Sequence, residues 1–564
     1  MAKKPRKKGA DRNLLWGIVA GAIFCVIGVI VTIFLAREAA TRKEVEEVKK
    51  LTEKIAEKVG VNPYLDGLPH AAPPVRVPFE EGLKVMNEYK WDEAIGHFKE
   101  AMKEAKGTEL VALFNLIGLC HYTPGRLNDA LGNFEKSASL AEEFNDKEGK
   151  AAALGNIGII YQTKGELDKA LKYSEDALKI TKEMGNKEDE AKILGNIGAI
   201  YIIKGELDNA LKYFEEGLKI DREIGNKKGV ARHLGNIGVI YQIKGELDNA
   251  LRYHENALKI DREIGNKEGE AALGNIGLIY ETKGELDKAL KYHEEALKLD
   301  REIGNKEGVA RHLGNIGNIY LIKGKLDKAL KYFEDANRLD EELGNKKGIA
   351  ANLGNIGLIY QTKGELDKAL KYSQDALDIQ QEIGDKVGEA NQLGNIGIIY
   401  WTKGELDKAL KYFEDGLKLD REMDRKEGIA AKLGNIGVIY QTKGELDNAL
   451  EYSEDALKIT KELGNRKDEA SILGNIGVIY QTKGELDEAL KYSEEGLEID
   501  RKMDRKEGIA GKLVNIGLIY AQKGDTNKAL NYYKQALAIF KQIGAQREIE
   551  IVTGNIKALN EGAK

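Results

Sequence analysis

The sequence predicts an all-α protein, a stacked-repeat solenoid of about twelve helix-turn-helix units preceded by one transmembrane helix. Three observations predict it. A motif of about forty residues, LGNIGxIYxxKGELDxALxYxxxAL, recurs across residues 154–537. Its asparagine returns in register at Asn156, Asn196, Asn236, Asn275, Asn315, Asn355, Asn395, Asn435, Asn475 and Asn515. Residues 14–35 form an uncharged apolar run, LLWGIVAGAIFCVIGVIVTIFL. A fixed period of this length marks a repeat solenoid, in which each unit buries its apolar face only against its neighbours.

The chain begins with a basic tail, residues 1–13, holding Lys3, Lys4, Arg6, Lys7, Lys8 and Arg12. The apolar run follows. At about 1.5 Å per residue it extends roughly 33 Å, enough for one bilayer crossing, so residues 14–36 are expected to anchor the chain. A cleaved secretory signal would have a shorter apolar core and a small-residue cleavage site, and Phe24 before Cys25 does not suit a lipoprotein box. The basic tail favours a cytoplasmic N-terminus and a translocated array, although Arg37, Arg42, Lys43, Lys49 and Lys50 beyond the span weaken that asymmetry. Gly17 and Gly21 form a GxxxG pair through which two spans could approach and give a homo-oligomer. Residues 37–59 read as a charged helical stalk. Residues 60–78 hold five of the seven prolines and read as a semi-extended linker.

The array is expected over residues 79–547. In the unit that starts near Lys187, Asn186 can cap the first helix, and Leu194, Ile197, Gly198 and Tyr201 fall on one helical face. Gly205 can end that helix in a left-handed conformation, and Asp208 is placed to cap the second. The second helix presents Ala210, Leu211, Phe214, Gly217 and Leu218 as its buried stripe, and Gly225 closes it. Residues 548–564 repeat only the first helix. Lys557 and Asn560 replace the tight-packing glycine and the tyrosine there, as expected of a polar helix that seals the end of a stack.

These small and aromatic positions resemble the tetratricopeptide repeat, in the longer form found in kinesin light chains and Pins-like adaptors. The resemblance covers roughly residues 79–562. It implies a right-handed superhelix whose first helices line a concave groove, and a function in binding proteins rather than in catalysis.

On the first helix, Asn156, Ile159 and Thr163 face away from Leu154, Ile157, Gly158 and Tyr161. The Ile159 position becomes Ala199, Val239, Leu278, Asn318, Leu358, Ile398, Val438, Val478 and Leu518, an apolar row beside the asparagines. Asparagine carries both donor and acceptor and can hold the backbone of an extended peptide. The row resembles the asparagine ladder of protein O-GlcNAc transferase. The alternative is that the asparagines bridge neighbouring repeats. Trp401 stands alone among Gln162, Gln242, Gln361, Gln441 and Gln481 as a bulky candidate anchor.

Charge is 32% of residues with a net of −6, and its signs alternate along the repeats, so no basic face invites nucleic acid. The sequence offers no cofactor motif, no phosphate loop and no metal-ligand spacing. His254 and His293 occupy a slot that Phe214 and Phe333 fill elsewhere, which reads as packing. The expected function is a membrane-anchored, nonenzymatic scaffold that captures an extended peptide or helix. A self-assembling structural array and a noncatalytic subunit of a membrane enzyme or export complex are the alternatives.

Overall fold

A computed structural model describes residue 68, residues 71–266 and residues 269–562. These hold 25 α-helices in tandem. The chain divides after Gly308 into two compact units. The first contains α1 (Pro73–Asn87), α2 (Trp91–Ala101), α3 (Thr108–Tyr122), α4 (Leu127–Glu143), α5 (Lys147–Thr163), α6 (Leu167–Met184), α7 (Lys187–Lys204), α8 (Leu207–Glu223), α9 (Lys227–Ile243), α10 (Leu247–Ile264), α11 (Glu270–Thr282) and α12 (Leu286–Ile303). The division falls within α13 (Lys306–Ile322). The second unit continues with α14 (Leu326–Leu343), α15 (Lys346–Thr362), α16 (Leu366–Glu382), α17 (Lys386–Thr402), α18 (Leu406–Glu422), α19 (Lys426–Lys443), α20 (Leu446–Leu463), α21 (Arg466–Lys483), α22 (Leu486–Lys502), α23 (Lys506–Gln522), α24 (Thr526–Ile543) and α25 (Gln546–Gly562). Odd-numbered helices are the first of each pair, even-numbered helices the second, and α25 has no second helix.

Local chemistry sets these boundaries. The Asn186 side chain accepts the Asp189 N–H at 3.1 Å and caps α7. Gly205 ends α7 at φ 76°, a conformation that carries no Cβ penalty in glycine. Asp208 does not cap α8. That helix starts one residue earlier, at Leu207, and the Asp208 carboxylate instead receives Lys244 of the following repeat at 2.7 Å. The same reach recurs from Lys204 to Asp168 at 2.6 Å and from Lys443 to Asp407 at 3.0 Å. The aspartates are about nine-tenths exposed, so these bridges orient the turns and add little stability.

Pairs close tightly where a glycine faces an aromatic ring. A Cβ on Gly198 would lie 2.8 Å from the Phe214 ring, so α7 and α8 approach as they do only because the side chain is missing. Phe214, Phe333 and Phe413 are almost completely buried in this slot. At the C-terminal end, Val552 of α25 is 1% exposed and packs in a cluster with Leu513, Ile516, Tyr533 and Phe540.

Two further expectations need correction. Helix α1 begins at Pro73, so the end of the linker expected over residues 60–78 is helical. Pro73 and Pro74 lose nothing at the start of the helix, because the first N–H groups have no intrahelical partner, whereas Pro78 lies inside it and removes one backbone donor. The single-pass membrane placement, with its cytoplasmic tail and translocated array, is also overturned: among the described residues no helix is long and apolar enough to cross a membrane. The run at 14–35, the Gly17/Gly21 pair and the stalk at 37–59 lie outside the described residues.

Candidate peptide-binding face

The face in question is the side of the odd-numbered helices turned away from their even-numbered partners. On α15, Asn352, Ile356 and Ile359 are buried, whereas Ala351, Leu358 and Thr362 are exposed. Asn355 sits between the two sets and is half-buried. The pattern repeats on α17 with Asn391 and Thr402 exposed and Asn395 and Ile398 half-buried. On α19 and α21, Ala431, Thr442, Ser471 and Thr482 are exposed, with Asn435, Val438, Asn475 and Val478 half-buried. Large apolar side chains also stand open here: Ile322 is 60% exposed, Leu358 41% and Trp401 40%.

The first unit presents the corresponding face more closed. Asn156 and Asn236 are buried there, as is Val239, and Lys192 folds over it within 3.3 Å of Glu188 and Asp189. Asn196 and Asn275 are half-buried, as are Asn315 and Asn515 in the second unit.

The asparagines are therefore not one uniform open ladder. The Asn156 amide donates to Asn115 of the preceding first helix at 3.4 Å, and Asn355 donates to Asn318 at the same distance. Asn395 donates to Gln392 within its own helix at 3.3 Å. On half-buried Asn355 and Asn395 these long contacts leave capacity, since an amide can both donate and accept.

Beneath the face runs a row of stacked tyrosine pairs that sequence reading missed. Tyr360 and Tyr372 stack with centroids 5.4 Å apart, and Lys368 lies 5.0 Å above the Tyr360 ring. Tyr400–Tyr412 and Tyr440–Tyr452 repeat the stack. Burial, reinforced by Tyr360, pushes the Tyr372 hydroxyl above its ordinary pKa. The available signal was the tyrosine in each ALKY segment, which returns as regularly as the asparagine.

His254 and His293 are fully buried, filling the ring slot against Gly238 and Gly277. Among the described residues, no group of three or more His, Cys, Asp or Glu is placed to hold a metal ion. A separate cavity of about 400 Å³ lies between α8, α9 and α10, lined by Glu215, Lys219, Arg222, Glu223 and apolar neighbours. Its charges are mixed in sign.

Comparison with known proteins bears on this architecture. Tetratricopeptide repeat profiles match residues 108–183, 189–263, 270–342, 348–422 and 428–502, and a further one matches 510–543. No curated protein matches the sequence. Among solved structures, the quorum sensor NprR from B. thuringiensis, in its apo form, is 18% identical with a TM-score of 0.47. That match covers 60% of this chain and 99% of NprR. Apo RapI is 17% identical with a TM-score of 0.40, over 49% of this chain and 99% of RapI. BtubC from P. vanneervenii is 22% identical with a TM-score of 0.35, over 39% of this chain and 92% of BtubC. With repeat matches across most of its length, the chain belongs to the tetratricopeptide repeat family.

Proposed function

We propose that the protein is a nonenzymatic scaffold that captures an extended protein segment along the first-helix face of its second unit. The observation that supports this reading is the open row on consecutive repeats, where Leu358 and Trp401 lie exposed beside half-buried Asn355, Asn395, Asn435 and Asn475. Apolar side chains exposed in series, rather than singly, suit a contact surface. The amides would hold the ligand backbone regardless of its sequence, and the exposed apolar groups would select its side chains. Trp401 is the expected anchor, because its ring offers the largest apolar area on the row.

The test uses peptides selected from a random phage-displayed library on the full chain. Asn355, Asn395, Asn435 and Asn475 are replaced together by Ala. Each lost hydrogen bond is worth about 0.5–1.5 kcal/mol, so the four should weaken peptide affinity by at least about thirtyfold. Trp401→Ala should weaken it independently. Undiminished affinity with a lowered melting point would mean that the asparagines hold repeats together instead.

A further inference from the structure

The motif is nearly constant, but one buried pair at the junction between repeats is not. The pair consists of a residue in the last turns of each second helix and a residue in the following first helix. In the first unit it reads Ala141 with Ala153, Thr181 with Ile193, Asp221 with His233 and Asp261 with Ala272. In the second it reads Asp340 with Asn352, Gln380 with Gln392, Asp420 with Lys432, Thr460 with Ile472, Asp500 with Lys512 and Phe540 with Val552. Every one of these side chains is buried. No two consecutive junctions within a unit carry the same pair.

Four of the pairs meet through complementary groups. Lys432 lies 2.7 Å from Asp420, and Lys512 lies 3.2 Å from Asp500. Arg425 and Arg505, at the position that Asn465 fills beside the Thr460 junction, approach the same carboxylates at 3.0 and 2.8 Å. Asn352 donates to Asp340 at 2.8 Å, and His233 lies 3.3 Å from Asp221. Where the partner is Ile193 or Ile472, the threonine hydroxyl bonds back to its own helix, Thr181 to Leu178 and Thr460 to Leu457, each at 2.9 Å. Its methyl group is left for the junction.

A third position follows the pair. A Cβ on Gly217 would lie 2.5 Å from the His233 ring, and on Gly416 and Gly496 it would lie 3.1 and 3.2 Å from the lysine stems. Beside Ile193, Asn352, Gln392 and Ile472 the same position is Ala177, Ala336, Ala376 and Ala456. Size and charge therefore change together.

We infer that these three-residue sets are register keys, which make each second helix accept its own following first helix and reject the next one along. Near-identical repeats invite misassembly, because the constant core fits any neighbour equally well. Slipping by one unit would set Lys512 against Thr460, or Ile472 against Asp420. The first buries the Lys512 ammonium without its carboxylate, and the second leaves Asp420 with Arg425 but without Lys432. A buried charge left without its partner costs on the order of a hundredfold or more in population. A two-unit slip would match Asp420 with Lys512, but it must loop out two whole repeats.

The experiment makes three consecutive junctions alike in two opposite ways. One full-chain variant converts both ionic junctions to the apolar type: Gly416→Ala, Asp420→Thr, Arg425→Asn, Lys432→Ile, Gly496→Ala, Asp500→Thr, Arg505→Asn and Lys512→Ile. The other converts the apolar junction to the ionic type: Ala456→Gly, Thr460→Asp, Asn465→Arg and Ile472→Lys. Each chain is unfolded in denaturant, refolded by dilution, treated briefly with protease and weighed intact. Both variants should give several-fold more chains cut within residues 424–505 than the parent, the signature of a looped-out repeat. Refolding as clean as the parent's in both variants overturns the inference. Cutting in the apolar variant alone also overturns it, because polarity and not alternation would then be the cause.

Discussion

At the residue scale, the clearest consequence of this packing concerns protons. His254 occupies a slot that takes phenylalanine elsewhere, fully enclosed, and neither ring nitrogen has a hydrogen-bond partner. Burial drives its pKa from 6.5 down to about 4. A base with a depressed folded-state pKa stabilises the fold fully above its unfolded value. That stability is lost as pH falls from about 6.5 towards 4, because only the unfolded chain takes up the proton. The difference amounts to about 3 kcal/mol. The buried imidazole of His233 shifts in the same direction, mainly through desolvation, with Asp221 opposing it. His254→Phe should therefore flatten the loss of melting temperature between pH 7.5 and 5. An identical loss in parent and variant would place the acid sensitivity elsewhere.

At the scale of elements, much was legible in the sequence because helix ends obey local rules. Asn186 caps α7 and Gly205 ends it as their residue types require. Phe214 and Ala210 are buried as the spacing implies. What escaped depended on contacts between repeats. Asp208 has the chemistry of a cap, yet its carboxylate is committed to a lysine of the next repeat. The asparagines share one register, but the motif does not say which of them lie open and which are buried. Asn156 and Asn355, identical in motif, differ in exposure. The start of α1 at Pro73 was hidden because proline signals a linker and a helix start equally well.

Helix α25 makes an element-scale prediction. Val552, with Ile549 and Ile556, covers the apolar edge formed by Leu513, Ile516 and Phe540. In a stack stabilised by nearest neighbours, truncation before Gln546 should loosen α24 and α23 first. Hydrogen exchange should rise in those helices and barely change in α15–α18. Unchanged protection in α23 and α24 would show that α25 does not seal the array.

At the scale of the whole molecule, repetition separates two tasks. The constant positions build the helix pairs and space the asparagines, and the variable junction pairs distinguish one interface from the next. The central claim is that partners are captured on the first-helix face of the second unit, and site-specific photo-crosslinking in cells tests it most directly. A photoreactive residue is placed singly at Leu358, Ile398 or Val438 on that face, and at Lys371 or Lys411, which are exposed on second helices. Adducts to a common set of proteins from the first three positions, absent from the two second-helix positions, are the predicted result. Adducts formed only from Lys371 and Lys411 would contradict the account and move the binding surface to the opposite side.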